Sequence, residues 1–312
     1  MKSPNYLTDQ RVVIGLALTA CLLWGSAFPG VKAGYRLFHI QPGDTAAQLL
    51  FAGCRFTLAG LLLLLFGLVS GRKIFDLEVP DYFRLAALGL IMTTLQYFFF
   101  YLGLARVSGV KGAILTGAST FFYVGLAHLA FKNEPLRPRV ILGCLAGLAG
   151  VVAVNLGAAG LDFSFSLGGE GYMVLAALVS ALGGIYGKIT SRQLDSVVMT
   201  AWQLTIGGLL LTLLGLGQGG AVTAGAGPLA WALLLYLSLL SSAAFALNAT
   251  LLKYNPVSLV TVVQFSIPVF GAGLSALFLG ESLWEWKNLA ALAGVSLGIY
   301  LVTRPPGKKA LF

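Results

Sequence analysis

The chain has 312 residues, 58% of them hydrophobic and 10% charged, with a formal net charge of +9. A soluble domain of this size carries about a quarter charged residues, so an ordinary soluble enzyme or binding module is excluded. The basic balance would suggest nucleic acid in a soluble protein, but its distribution along the chain gives another reason for it.

Apolar residues run in blocks rather than in 3.6-residue stripes, so each predicted helix is apolar on nearly every face and lipid is its solvent. The first block, Val12–Ala33, carries Trp24, Ser26, Pro29 and Lys32, and runs too long for a signal-peptide core. The second, Ala46–Val69, contains Arg55, and the third, Tyr82–Leu104, contains Gln96 and the aromatic run Tyr97 to Tyr101. The fourth, Gly109–Phe131, holds Ser119, Thr120, Tyr123 and His128, and the fifth is Val140–Leu156. The sixth, Gly171–Ile189, ends on Tyr186 and Lys188, and the seventh, Val197–Leu216, contains Gln203. The eighth, Pro228–Leu252, holds Ser241, Ser242 and Asn248; the ninth, Val257–Leu279, holds Gln264, Ser266 and Pro268; the tenth is Trp286–Val302. Most approach the ~20 residues that cross a ~30 Å hydrocarbon core. A closed barrel would instead alternate over ~10-residue segments. The predicted fold class is an all-α polytopic membrane protein with ten transmembrane helices. Cys21, Cys54 and Cys144 fall inside predicted spans and are expected to pack rather than pair.

With alternating sides, most of the 20 Lys and Arg residues fall on the side of the N-terminus, among them Arg72, Lys73, Arg84, Arg137, Arg139, Lys188 and Lys253. The other side holds Lys32, Arg36, Arg106, Lys111 and Lys287. By the positive-inside rule both termini are cytoplasmic, which predicts a multi-pass inner (plasma) membrane protein. The chain also repeats itself. Glu134 in GLAHLAFKNEPL and Glu281 in GLSALFLGESL are 147 positions apart, and an offset of 148 lays Arg55–Phe66 over Gln203–Leu214. Five spans per half is an odd number, so the second half enters the bilayer inverted, as in secondary carriers built from inverted repeats.

Leu23-Trp24-Gly25-Ser26-Ala27-Phe28, Arg55-Phe56 with Gln203 at its counterpart, and the turns at Glu134 and Glu281 together resemble EamA-type carriers of the drug/metabolite transporter superfamily. The resemblance implies two inverted five-helix repeats, over 12–156 and 171–302, around a central substrate cavity. It also implies export of amino acids and other small metabolites. Two departures stand out. A proline precedes the glutamate by thirteen residues in the second half, as Pro268, but the first half has Phe121 there, so a backbone break is expected in one copy only. The sixth span, Ala181 to Tyr186, lacks the tryptophan of the first.

An ionisable group in the hydrocarbon costs at least ~2.5–3.5 kcal/mol, so each needs a reason. The eleven acids, Asp and Glu together, all fall in loops or at span ends. A cation exporter working by proton exchange needs a buried carboxylate, so a neutral or mildly positive cavity is expected, suited to zwitterions or anions. Arg55 is read either as a clamp for a substrate carboxylate or as a structural arginine on backbone carbonyls, with Gln203 as its neutral mate. His128 is a proton relay or an interfacial anchor. Glu134 and Glu281 are turns bonded to backbone, or a gating ion pair. Lys32 and Lys188 snorkel to the interface or mark cavity mouths. The candidate substrate-binding residues are Trp24, Ser26, Gln96, Tyr97, Tyr101, Thr120, Tyr123, Tyr186, Asn248 and Gln264, with Asn248 and Gln264 foremost because an amide is costly against lipid. Pro29 and Pro268 are candidate hinges. The predicted function is alternating-access transport of a small zwitterionic or anionic metabolite, with amino acids as the expected class and export the expected direction. A drug or cation exporter and a lipid-headgroup flippase of the same fold are the alternatives. No cofactor, metal, catalytic residue or nucleic-acid partner is implied, and a monomer in the lipid bilayer suffices.

Overall fold

The computed structural model describes residues 5–130, 138, 141–143, 145–146, 149, 165–191, 193–222, 226–255, 260, 263–264, 266–281 and 286–303. Most of the expected fifth span, Val140–Leu156, lies outside these residues, as do Glu134, Cys144 and the side chain of Thr120. Among the described residues all regular structure is helical. In chain order these are α1 (Gln10–Leu37), α2 (Thr45–Val69), α3 (Val79–Gly89), a π-helical stretch (Leu90–Leu95) and α4 (Gln96–Arg106). Then come α5 (Gly109–Thr116), α6 (Ser119–Ala130), a π turn (Leu167–Gly171), α7 (Tyr172–Thr190) and α8 (Ser196–Gly217). The last are α9 (Pro228–Tyr254), α10 (Ser266–Leu279) and α11 (Trp286–Thr303).

Seven helical runs among the described residues are long and apolar enough to cross a membrane, and two shorter apolar helices accompany them. Their outward faces carry large exposed side chains such as Leu65, Leu213 and Phe278, an arrangement that water would not support and hydrocarbon does. The chain is a multi-pass membrane protein.

Short aspartates start three of the helices. Asp9 accepts from the amides of Arg11 and Val12, Asp44 from Ala47, and Asp195 from Val197 and Val198. Each satisfies amides that a helix N-terminus leaves without partners. At their other ends α2 and α8 close with the same motif. Gly71 and Gly219, 148 positions apart, adopt φ of 68° and 80°. Gly71 N–H bonds Leu68 O while Arg72 N–H bonds Gly67 O; Gly219 N–H bonds Leu216 O while Gly220 N–H bonds Gly215 O. Only glycine takes this left-handed turn without cost.

The pairing of α2 with α8 is the spine of the molecule. A methyl group added to Gly53, Gly60, Gly208 or Gly215 would collide with Thr212, Thr205, Thr57 or Leu50 respectively. Numbers rise along one helix as they fall along the other, so the two helices pack antiparallel. In lipid there is no hydrophobic drive between helices, and close approach through small residues supplies the attraction instead. The threonines that enter these gaps bond their own helices, Thr205 to Ala201 O at 2.8 Å and Thr212 to Gly208 O at 3.0 Å, so no hydroxyl is stranded. Two further bonds tie the spine to its flanks. Thr94 Oγ1 donates to Gly207 O at 3.1 Å, and Ser242 Oγ donates to Ala59 O at 2.8 Å. Thr94 and Ser242 are 148 apart, and so are Ala59 and Gly207.

Two spans differ from the sequence expectation. The third widens into π geometry over Leu90–Leu95, where Thr94 reaches Gly207 and its hydroxyl also lies 3.4 Å from Gly89 O. The fourth is interrupted at Gly117–Ala118, between α5 and α6, although it contains no proline. There Gly117 N–H bonds Ile114 O and Ala118 N–H bonds Leu115 O, tightening the turn to i→i−3. The expected confinement of the break to the Pro268 copy does not hold. Pro29 is buried inside a continuous α1, and Pro268 is buried in the first turn of α10.

The two ends of the bundle are held differently. At one, Arg72 pairs with Asp195 at 2.7 Å, and Arg84 bonds both Asp81 and Gln193. At the other, Lys111 pairs with Glu170, and both carboxylate oxygens of Glu281 accept from the start of α5, from Gly109 N–H at 2.9 Å and Val110 N–H at 2.8 Å. Glu281 therefore bonds backbone, as one sequence reading had it, but the backbone belongs to the other half of the chain.

Candidate functional site

Three elements meet α1 along the two turns that flank Trp24. Its ring meets Phe245 of α9 edge-on at 5.4 Å. One turn further along α9, Asn248 and Gln264 join their carboxamides by a hydrogen bond. One turn before Trp24, Cys21 Sγ donates to Val263 O at 3.3 Å, which brings the segment carrying Gln264 against α1. On the other flank Phe28 meets Phe100 of α4 at 5.7 Å. Trp24 and Gln96 each lie one turn back from that contact, on helices that run the same way, and so stand at the same level.

Both leave a buried polar atom open. Trp24 Nε1, a donor, and Gln96 Oε1, an acceptor, have no hydrogen-bond partner among the described residues. A buried group without a partner costs about 1–3 kcal/mol, a cost that a ligand's polar groups would remove. One free donor and one free acceptor at one depth match a ligand that carries both an acceptor and a donor.

Arg55 is only 2% exposed, and the partners its guanidinium reaches are uncharged. Its Nε donates to Ser241 Oγ at 3.0 Å and Leu237 O at 3.2 Å, its Nη1 donates to Tyr101 OH at 2.8 Å, and the guanidinium carbon stands 4.9 Å from the Phe56 ring centre. Gln203 occupies the matching place: its Nε2 donates to Thr93 Oγ1 at 3.4 Å. Ser241 and Thr93 are again 148 apart. Of the two readings of Arg55, these bonds match the structural one.

The remaining candidates disperse. Tyr97 packs on Phe56 with ring centres 4.1 Å apart and the rings tilted by 41°, and Tyr101 is wholly enclosed, its hydroxyl accepting from Arg55 and its carbonyl from Tyr35 OH at 2.9 Å. Ser26 bonds Leu23 O and the hydroxyl of the exposed Tyr236. Tyr123 packs beside Gly184, and Tyr186 lines an apolar groove of about 320 Å³ with Leu126, Leu182 and Ile185. The structure thus sets the Asn248–Gln264 pair one turn from the Trp24–Phe245 contact and Gln96 at the level of Trp24, and it turns Ser26 to Tyr236 and Tyr186 to the apolar groove. Sequence reasoning missed Tyr35, Thr93 and Thr94; the polar doublet Thr93-Thr94 inside an apolar span was the available signal. Among the described residues no cluster of His, Cys, Asp and Glu could hold a metal ion.

The profile of the EamA-like transporter family matches residues 11–156 and 167–304. The "Uncharacterized transporter YvbV" of Bacillus subtilis is 30% identical over 300 residues, which is 93% of this chain and 90% of that one. The "Uncharacterized inner membrane transporter YedA" of Escherichia coli is 25% identical over 94% of each chain. The "WAT1-related protein At3g02690, chloroplastic" of Arabidopsis thaliana is 27% identical over 91% of this chain and 67% of its own. A protein of known crystal structure superposes with a TM-score of 0.68 at 19% identity, covering 93% of this chain and 96% of that one, a likeness that speaks to the fold alone.

Proposed function

The chain belongs to the EamA-like transporter family, and from that premise we propose that it is a secondary carrier for small zwitterionic or anionic metabolites, amino acids first. The observation that carries this reading is the pair of buried, unpartnered atoms, Trp24 Nε1 and Gln96 Oε1. An amino acid offers the indole N–H a carboxylate and the carboxamide oxygen an ammonium. Asn248 and Gln264, one turn along from the Trp24–Phe245 contact, can trade their mutual bond for bonds to the ligand. Phe28, Phe100 and Phe245 supply apolar walls, the usual balance of a small-molecule pocket. Among the described residues no carboxylate lies at this depth, which disfavours a proton-exchanging cation exporter; the burial of Arg55 among protein hydroxyls and a carbonyl disfavours a headgroup flippase.

Ten helices in two inverted five-helix repeats, 12–156 and 171–302, complete the reading. Its support is the antiparallel spine of α2 and α8 and the bonds that recur at an offset of 148. Alternating access follows by rocking the flanking helices about that spine, with Pro29, Pro268 and the Gly117–Ala118 break as points of flexure. The substrate is exported across the inner membrane by a monomer with both termini in the cytoplasm.

The test is uptake of a labelled amino-acid mixture into proteoliposomes, beside Trp24→Phe and Asn248→Ala. Trp24→Phe keeps an aromatic ring and removes the donor, so half-saturation should rise about tenfold with the fold intact. A folded protein that takes up no amino acid sinks the substrate class. Unaltered transport by Trp24→Phe removes the indole from the site.

A further inference from the structure

A cavity of about 360 Å³ opens at the Glu281 end, between the last turns of α1, the turn that follows it, and Ala105 of α4. We propose that it is a docking site for an oxyanion, the carboxylate or phosphate group of a small molecule, separate from the interior pair of Trp24 and Gln96.

Its wall carries Lys32 and Arg36, four residues apart on one face of α1, together with His39. No carboxylate lines it. The described acids at this end are already committed. Asp44 caps α2, Glu170 holds Lys111 and the Ser166 amide, and Glu281 caps α5 with both oxygens. Glu281 acts on Lys32 through space, yet Arg36 has no ion pair among the described residues, so the cavity keeps positive charge. A lysine and an arginine on adjacent turns suit an oxyanion, the arginine binding it in two-pronged fashion. Nor is the wall loose. His39 adopts φ 55°, the left-handed region, where His39 N–H bonds Arg36 O at 3.2 Å and Ile40 N–H bonds Tyr35 O at 2.8 Å. That closed turn holds the imidazole against the cavity. Behind the wall, Tyr35 OH bonds the carbonyl of Tyr101, whose own hydroxyl accepts from Arg55. These bonds fix Tyr35, which lines the cavity, against α4.

Equilibrium dialysis of the full chain in phosphatidylcholine nanodiscs, with inorganic phosphate and separately with succinate as probes, tests the site. Saturable binding of one equivalent is expected, weakened about tenfold by Lys32→Gln and by Arg36→Gln. It should be retained in Lys111→Gln, whose ammonium already serves Glu170. Discs containing phosphatidylglycerol separate the two sources of such a group. Lost phosphate binding there assigns the site to a lipid headgroup, and unchanged binding assigns it to a free metabolite. Absent saturable binding, or equal binding by all variants with wild-type circular dichroism, overturns the proposal.

Discussion

The Arg55 cluster and the Gln203 cluster occupy matching places on either side of the spine, and they are bonded alike up to a point. Each reaches a hydroxyl on the neighbouring span, Ser241 or Thr93, and each is flanked by a hydroxyl, Ser242 or Thr94, that crosses to a spine carbonyl. There the likeness stops. Arg55 adds a charge, a carbonyl bond to Leu237 and a bond to Tyr101, while the residue matched to Tyr101 at the same offset is Ala249, whose side chain has no polar atom. What both halves share is scaffold, since two sites with different chemistry would not keep the same backbone partners. Among the described residues only one half has a buried positive charge, and that is what sets the two clusters apart.

The harshest break in the comparison is to part the spine itself. Gly208→Leu drives a side chain into the Thr57 main chain and should cost about 3 kcal/mol or more, enough to lose the monodisperse protein on purification. Gly125→Ala, where a methyl meets nothing within 4 Å, should purify as wild type. Next comes Arg55→Gln, which makes the two halves alike. It should lower stability in mixed-micelle unfolding by roughly 2–3 kcal/mol, whereas Gln203→Leu should cost about 1 kcal/mol. Equal losses would mean that the charge adds nothing to the shared scaffold. The smallest effects sharpen the symmetry. Thr94→Val and Ser242→Ala each delete one crossing bond and should each cost about 0.6 kcal/mol, additively. A large difference between them would show that the two crossings are not equivalent.

Much of this frame was legible before any coordinates. The register of Arg55 on Gln203 came from self-similarity, because a repeated fold must repeat its spacing. The helices stand close to the expected blocks since runs of apolar residues leave few alternatives in lipid. The partners of those residues were not legible. Asn248 and Gln264 were singled out as amides costly against lipid, but their bond to each other depends on how α9 meets the ninth span. Ser26 stood among the candidate substrate-binding residues, yet it bonds the exposed Tyr236 of α9. No break was expected in the fourth span because it has no proline, whereas Gly117 and two i→i−3 bonds make one. Likewise the π stretch answers to a carbonyl on α8, information that no local pattern in Leu90–Leu95 contains.

The carboxylate that closes the start of α5 is synthesised 172 residues after Gly109. When the ribosome has delivered the fourth span, the amides of Gly109 and Val110 have only water or lipid headgroups to bond, and they keep that arrangement until the ninth span arrives. Insertion of the first half is therefore provisional, and its completion is a late event in biogenesis that the C-terminal half performs.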